Sequence, residues 1–209
     1  MTTKAKYYRR NLPHYFLPEA CYFITYRLAG SLPEVKRREL KDDYQEKINQ
    51  ITRQKLSKTK LKNKTAKEWK KYFDKIDGLL HQYSNSPKYL QENKITEITA
   101  NSLQYYDDEE YDLISYCIMP NHVHCILKLN KKSRRLDKIL QSIKRYSATK
   151  SNNILNRKGQ FWQHESYDYI IRNEQELENI VNYILYNPVK AGLVKYPEDW
   201  QWNYCRASI

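Results

Sequence analysis

Apolar and β-branched residues gather in extended runs at residues 20–28, 111–118, 122–129 and 167–172, and recur at helical spacing elsewhere. The first run is rich in aromatic residues and ends at Gly30, so it reads as a strand. Residues 111–118 and 122–129 are joined by Met119, Pro120 and Asn121, a connection short enough for a hairpin or a bulged corner. Leu136, Ile139, Leu140 and Ile143 mark an amphipathic helix, with Arg134, Arg135, Lys138, Lys144 and Arg145 largely off its apolar side. Leu177, Ile180, Val181 and Ile184 mark another, acidic in its first turn and stopped by Pro188, which predicts one helix ending near Asn187. This order predicts an α+β fold, an antiparallel sheet with helices packed on one face.

Between about residues 34 and 105 the pattern changes. From Lys36 to Lys75 there are 15 basic and 6 acidic side chains, and neither glycine nor proline occurs between Pro33 and Gly78. Such a stretch forms long helices, while Thr52, Asn63 and Thr65 weaken its middle, so the expectation is a helical hairpin turning near Lys58 to Thr65. It could grasp DNA phosphates, or be a solvated basic arm or partly disordered loop. Leu79, Leu80, Tyr89 and Leu90, then Ile95, Ile98 and Leu103, predict a further helix that packs back onto the core.

A chain of 209 residues is expected to form one domain, 1–209, with the helical segment inserted. Its 37 basic and 24 acidic side chains give a formal net charge of +13, so an anionic polymer is the natural partner. There is no long apolar run and no signal peptide, which makes a membrane surface the weaker alternative and predicts a soluble cytoplasmic protein. Cys21, Cys117, Cys125 and Cys205 lack Cys-x-x-Cys spacing and read as reduced thiols.

Candidate chemistry centres on His122 and His124. One apolar residue apart on an extended chain, they project from the same face, as a pair of ligands for one metal ion or two donors for a phosphate. Tyr183 and Asn187, four residues apart on the predicted helix, would share a side. Tyr186 is rotated off that stripe. A phenol is a poor nucleophile at neutral pH unless it or its target is activated, and a divalent cation on two imidazoles and an amide oxygen could polarise a phosphodiester. Since the chain holds 20 tyrosines, packing or stacking is the competing role for Tyr183.

Met119 to His124, the segment Phe161 to His164, and Tyr183 to Leu193 together resemble the single-tyrosine transposases of the HUH endonuclease superfamily, the REP-associated tyrosine transposases above all. The resemblance covers roughly Tyr15 to Leu32 and Asp107 to Tyr204. It implies an RRM-like or ferredoxin-like α+β core with the histidines on a central strand. It also implies that His122 and His124 bind Mg²⁺ or Mn²⁺, with Asn187 in the place of a third ligand. Relatives of the insertion-sequence type often carry glutamine where Asn187 stands, and the shorter side chain leaves direct or water-mediated contact open. Tyr183 matches the nucleophile that attacks single-stranded DNA, leaving a 5′-phosphotyrosine and a free 3′-hydroxyl at hairpin sites. The resemblance further implies a bacterial, nucleoid-associated enzyme, either a dimer as in the insertion-sequence type or a monomer as in the REP-associated type.

Other residues carry weaker expectations. His164, beside Trp162, is a candidate for support of the metal ligands or for DNA contact, and Lys144 and Arg145 for DNA contact. Arg9 and Arg10 lie among tyrosines in residues 6–11, which suits single-stranded DNA or a flexible tail. His14 and His81 read as surface or packing residues, and residues 200–204 as a tryptophan-rich closure of the core. A non-catalytic nucleic-acid-binding protein is the main alternative function. A hydrolase using activated water is a third, disfavoured because only Glu165 and distant acids accompany the histidines.

Overall fold

Two central strands that are apolar toward both sides set the architecture. The computed structural model describes residues 6–9, 13–83 and 85–207, with side chains from Leu17 onward, Lys62 excepted. It divides into two compact units, residues 1–29 with 88–209, and residues 30–87.

In the first unit β1 (Lys6–Arg9) and β2 (Pro13–Phe16) form an antiparallel ribbon. Of the amino-terminal candidates, Arg10 lies outside the described residues, and Arg9 is placed by its backbone alone in β1. The main sheet is built from β3 (Cys21–Arg27), β4 (Tyr111–Ile118), β5 (His122–Leu129), β6 (Tyr167–Ile171) and β7 (Asn203–Cys205). Their order is β6-β3-β5-β4-β7, every pair antiparallel. β5 is therefore the central strand. The corner leading into it is tight: Met119 N–H donates to His122 O at 2.9 Å, and Leu28 N–H donates to Asn121 O at 2.9 Å. β4 carries a register shift between Leu113 and Ser115.

On one face Tyr22, Ile24, Tyr26 and Leu28 join Val123, Cys125 and Leu127 in the core. Helices α3 (Asn93–Gln104) and α4 (Leu136–Ile154) complete it with Ile95, Leu103, Ile139 and Ile143. Strand parity puts Phe23, Thr25, Ile126 and both histidines on the other face. There α5 (Glu174–Leu185) packs, its Val181 and Ile184 buried. Helices thus cover both faces rather than one. The reason is visible in the strands: Phe23 and Ile126 are as apolar as their alternate neighbours, so each face needs cover.

The predicted single helix ending at Asn187 is interrupted. α5 closes at Leu185 with Tyr186 as its cap, and a four-residue α6 (Asn187–Lys190) follows. Pro188 starts this turn instead of stopping the chain, because proline's missing N–H is harmless in a first turn. Gly192, at φ 69°, then ends it. The carboxy-terminal closure is partly a strand: β7 pairs with β4, while Trp200 Nε1 donates to Ile118 O at 3.1 Å.

The second unit is a helical hairpin of α1 (Glu34–Thr52) and α2 (Lys58–Gln82). Its turn lies at residues 53–57, ahead of the expected position. Ser57 decides this by capping α2, its side chain accepting from Lys60 N–H. The β-branched Thr65 is absorbed within the helix, its hydroxyl donating to Leu61 O at 3.0 Å. Tyr44 of α1 stacks on Tyr72 of α2 with ring centroids 4.8 Å apart, and Lys75 reaches Asp43 at 3.2 Å, which fixes the two helices side by side. His81 of α2 lies 3.9 Å from Asp77.

Candidate active site on the central strand

His122 and His124 are both fully buried on β5, on the face that α5 covers. Their Nε2 atoms lie 3.1 Å apart, with ring planes at 78°. The opposite nitrogen of each ring is held from behind. His122 Nδ1–H donates to Asn121 Oδ1 at 2.6 Å, since a carbonyl oxygen can only accept. His124 Nδ1 is bonded to Thr25 Oγ1 at 2.7 Å, its neighbour directly across the β3–β5 ladder. Where Thr25 Oγ1 accepts from His124 Nδ1–H, both Nε2 atoms carry lone pairs that a cation can take. A cation about 2.1 Å from each nitrogen, at right angles, would leave the two about 3.0 Å apart. The pair fits a divalent cation.

Tyr183 of α5 meets this pair. Its ring centroid is 5.7 Å from that of His124 and 6.1 Å from that of Phe23, edge-on to both. Lys190 of α6 places Nζ 4.2 Å from the centre of the same ring. Tyr183 is half-buried, whereas Tyr186 is 52% exposed and faces away from the stripe as its spacing predicts. Asn187, one turn beyond Tyr183 along the chain, is completely buried at the start of α6.

Other phenols are poorly disposed for nucleophilic work. Tyr169 shares the imidazole face, opposite Phe23 on β6, but its hydroxyl donates to Glu176 at 2.6 Å. Burial, followed by that hydrogen bond, pushes it up to about 12. Burial likewise raises Tyr26, Tyr111 and Tyr116, and lifts Tyr22 to about 12. Cys117 and Cys125 are buried, and burial pushes Cys125 well up and Cys21 up to about 12.

The remaining sequence candidates gather elsewhere. Trp162, His164, Lys144 and Arg145 line a cavity of about 390 Å³ between α4 and residues 159–168. This cavity lies beside α4, the helix that covers the sheet face opposite the imidazoles. Lys144 Nζ binds Gln163 O at 2.6 Å, His164 O at 3.1 Å and Ser166 Oγ at 3.1 Å, and so shapes the cavity wall. Trp162 is a core residue: it is buried, edge-on to Tyr26, and its Nε1 donates to Ser147 Oγ at 2.9 Å.

Sequence reading passed over four residues that build the site. Thr25 and Asn121 orient the imidazoles, Lys190 supplies positive charge, and Asn203 anchors the tyrosine helix. Asn203 lies opposite Cys117, which in turn lies opposite His124, and its Nδ2 donates to Leu185 O at 3.0 Å and Pro197 O at 2.9 Å. Asn121, next to the histidines, and Lys190, seven residues after Tyr183, had local signals; Thr25 and Asn203 act across the sheet.

Residues 79–187 match the protein-family model described as Transposase IS200 like, just over half of the chain. A Haemophilus influenzae protein assigned to the REP-associated tyrosine transposases is 25% identical over 124 residues, 52% of this chain and 67% of that protein. The REP-associated tyrosine transposase of Escherichia coli is 29% identical over 96 residues, 46% of this chain and 55% of that protein. The matches thus span between about half and two thirds of these relatives. A solved structure of a REP-associated tyrosine transposase bound to a REP hairpin aligns with a TM-score of 0.51, covering 94% of this chain and 80% of that one. At 19% identity that likeness is one of fold. By the family match, over the stretch that contains the imidazole pair and the tyrosine helix, the chain belongs to the IS200-like transposase family.

Proposed function

We propose that this protein is a metal-assisted single-stranded DNA endonuclease and strand transferase that acts on DNA carrying a hairpin, with Tyr183 as its nucleophile. The observation that carries the reading is the meeting of a half-buried phenol with one of two imidazoles whose Nε2 atoms lie 3.1 Å apart. His122 and His124 would hold Mg²⁺ or Mn²⁺, with Asn187 as third ligand from the turn after the tyrosine. When bound, the cation supplies polarisation of a phosphodiester oxygen and orients the phosphorus.

The protein's own groups do the rest. The Tyr183 oxygen forms the new bond to phosphorus and the bond to the 3′-oxygen breaks; the phenol loses one proton and the departing 3′-oxygen gains one. The energy of the broken ester is kept in the phosphotyrosine, so a free 3′-hydroxyl can reverse the step and join strands with no further cofactor. Thr25 and Asn121 hold the imidazoles in one orientation, and Lys190 offers positive charge to an anion gathering at the phenol. The relatives' names support the reaction class, and the REP hairpin in the related structure supports the substrate class. Among the described residues no helix is long and apolar enough to cross a membrane; a cytoplasmic, nucleoid-associated enzyme follows as part of this proposal.

The test is an end-labelled single strand with a hairpin, incubated with Mn²⁺ and resolved on a denaturing gel. A protein-linked band is expected from the native chain and none from Tyr183→Phe, while both bind the strand equally. Cleavage that persists in Tyr183→Phe would assign attack to water. Binding without cleavage in the native chain would make this a nucleic-acid-binding protein without catalysis.

A further inference from the structure

The helical hairpin is charged unevenly. All of its acidic side chains lie outside the stretch 47–67 that contains the turn, at Glu34, Glu39, Asp42, Asp43 and Glu46 on α1 and Glu68, Asp74 and Asp77 on α2. There most of the bases are matched: Lys36 pairs with Glu39, Arg37 with Glu34, Lys47 and Lys75 with Asp43, Lys71 with Glu68, and Lys70 with Asp74, while Arg38 and Lys41 stand outside these pairs. From Arg53 to Lys67, around the turn, seven basic residues occur without one acid. Arg53, Lys55, Lys58, Lys60 and Lys67 are exposed there and form no ion pair among the described residues. A merely solvated surface mixes its signs and gains from paired charges, whereas this half keeps unscreened repulsion among its cations.

We infer that the turn half of the hairpin is a docking surface for the phosphate backbone of double-stranded DNA. The reading rests on the DNA-directed function proposed above, and adds where a duplex stem is gripped. Two observations favour a duplex over an unpaired strand. No aromatic residue occurs between Tyr44 and Trp69, so the surface has nothing on which exposed bases could stack. Its scaffold is also preformed: Lys60, Lys64 and Lys67 follow one another at helical spacing along α2. An α-helix about 10–12 Å across matches a major groove about 12 Å wide, with phosphates on either side. An anionic membrane surface fits less well, because the turn half offers no exposed large apolar side chain to insert: the exposed ones are Val35, at the far end, and Tyr83.

The experiment compares two fourfold variants of the full chain. One neutralises the turn half, Lys55→Gln, Lys58→Gln, Lys60→Gln and Lys67→Gln. The other removes the same charge from the matched half, Lys36→Gln, Lys47→Gln, Lys70→Gln and Lys71→Gln. Binding to a blunt 20-base-pair duplex is measured as salt is raised. Each lost phosphate contact lowers the slope of log affinity against log salt by about 0.9, so the turn variant should flatten it by about 2 to 4 and the matched variant by less than about 1. Helix content by circular dichroism confirms that both variants fold. Equal slopes for both variants would overturn the proposal, as would an equal loss on an unpaired oligothymidine strand, or loss confined to phosphatidylserine vesicles. The covalent adduct of Tyr183, followed at saturating DNA, should be unchanged in both. A missing adduct in the native chain would count against the catalytic reading alone, and an unaltered duplex slope against the hairpin alone.

Discussion

On the two readings proposed above, the sheet unit and the helical hairpin would engage nucleic acid by different physics. In the sheet unit the informative side chains are few, buried and fixed: two imidazoles locked by Thr25 and Asn121, and a phenol seated against one of them. In the hairpin they are many, exposed and interchangeable, and what matters is where acids are missing. The first site should therefore depend on the geometry of its side chains, and the second on the sign of its charge. The lesson is that one chain can separate chemistry from grip, and that the two should fail independently.

The sharpest test of that independence is His124→Ala. It should lower strand cleavage at least 100-fold, read as adduct formed per minute, and leave the salt slope for duplex binding unchanged. A flattened slope in this variant would break the comparison. Next in size is Thr25→Val, which keeps the shape of the side chain and removes the hydroxyl behind His124. Loss of such a supporting bond costs about 10–100-fold in metal affinity, to be read by Mn²⁺ titration, with recovery in Thr25→Ser.

Asn203→Ala should have a smaller effect. It leaves the carbonyls of Leu185 and Pro197 without their shared donor, a loss of about 1–3 kcal/mol seen in thermal unfolding. Because the tyrosine helix loses its anchor, the cleavage rate should fall about tenfold with substrate affinity unchanged; a purely structural role would move the melting point alone.

The smallest effect concerns pH and the hairpin. Hydrogen bonds from Lys47 and Lys75 hold the Asp43 carboxyl below its ordinary value. A depressed carboxyl contributes stability above its unfolded value and loses it as the pH falls through the folded one. The hairpin should therefore lose helicity as the solution is acidified below about pH 4, the ordinary range of aspartate. Asp43→Asn should remove this dependence and leave duplex binding intact.

How much of this was legible beforehand differs by element. Strands β3 to β6 and helices α4 and α5 stood in the apolar pattern because each buries a continuous stripe. β7 did not, since three residues at an edge carry too little periodicity. The hairpin was legible as helix, but its turn was misplaced: threonine and asparagine weaken a helix only slightly, and the capping by Ser57 outweighs them. Pro188 misled for a related reason, since proline breaks a helix interior yet suits a first turn. His164 stood out by its position beside Trp162, and only the fold shows that it lines the cavity against α4.

By itself the sequence determined that His122 and His124 share a face, because alternation along a strand is fixed by covalent geometry. It also determined that Tyr183 lies beside an apolar stripe and that the turn half of the hairpin is cationic. Only the tertiary structure decided which face of the sheet the tyrosine helix covers. That choice depends on contacts between residues far apart in the chain: Phe23 and Ile126 demand burial on the second face, and Asn203 ties the end of α5 to β7. No local pattern encodes such contacts, which is why the phenol and the imidazoles could be named separately but brought together only by folding.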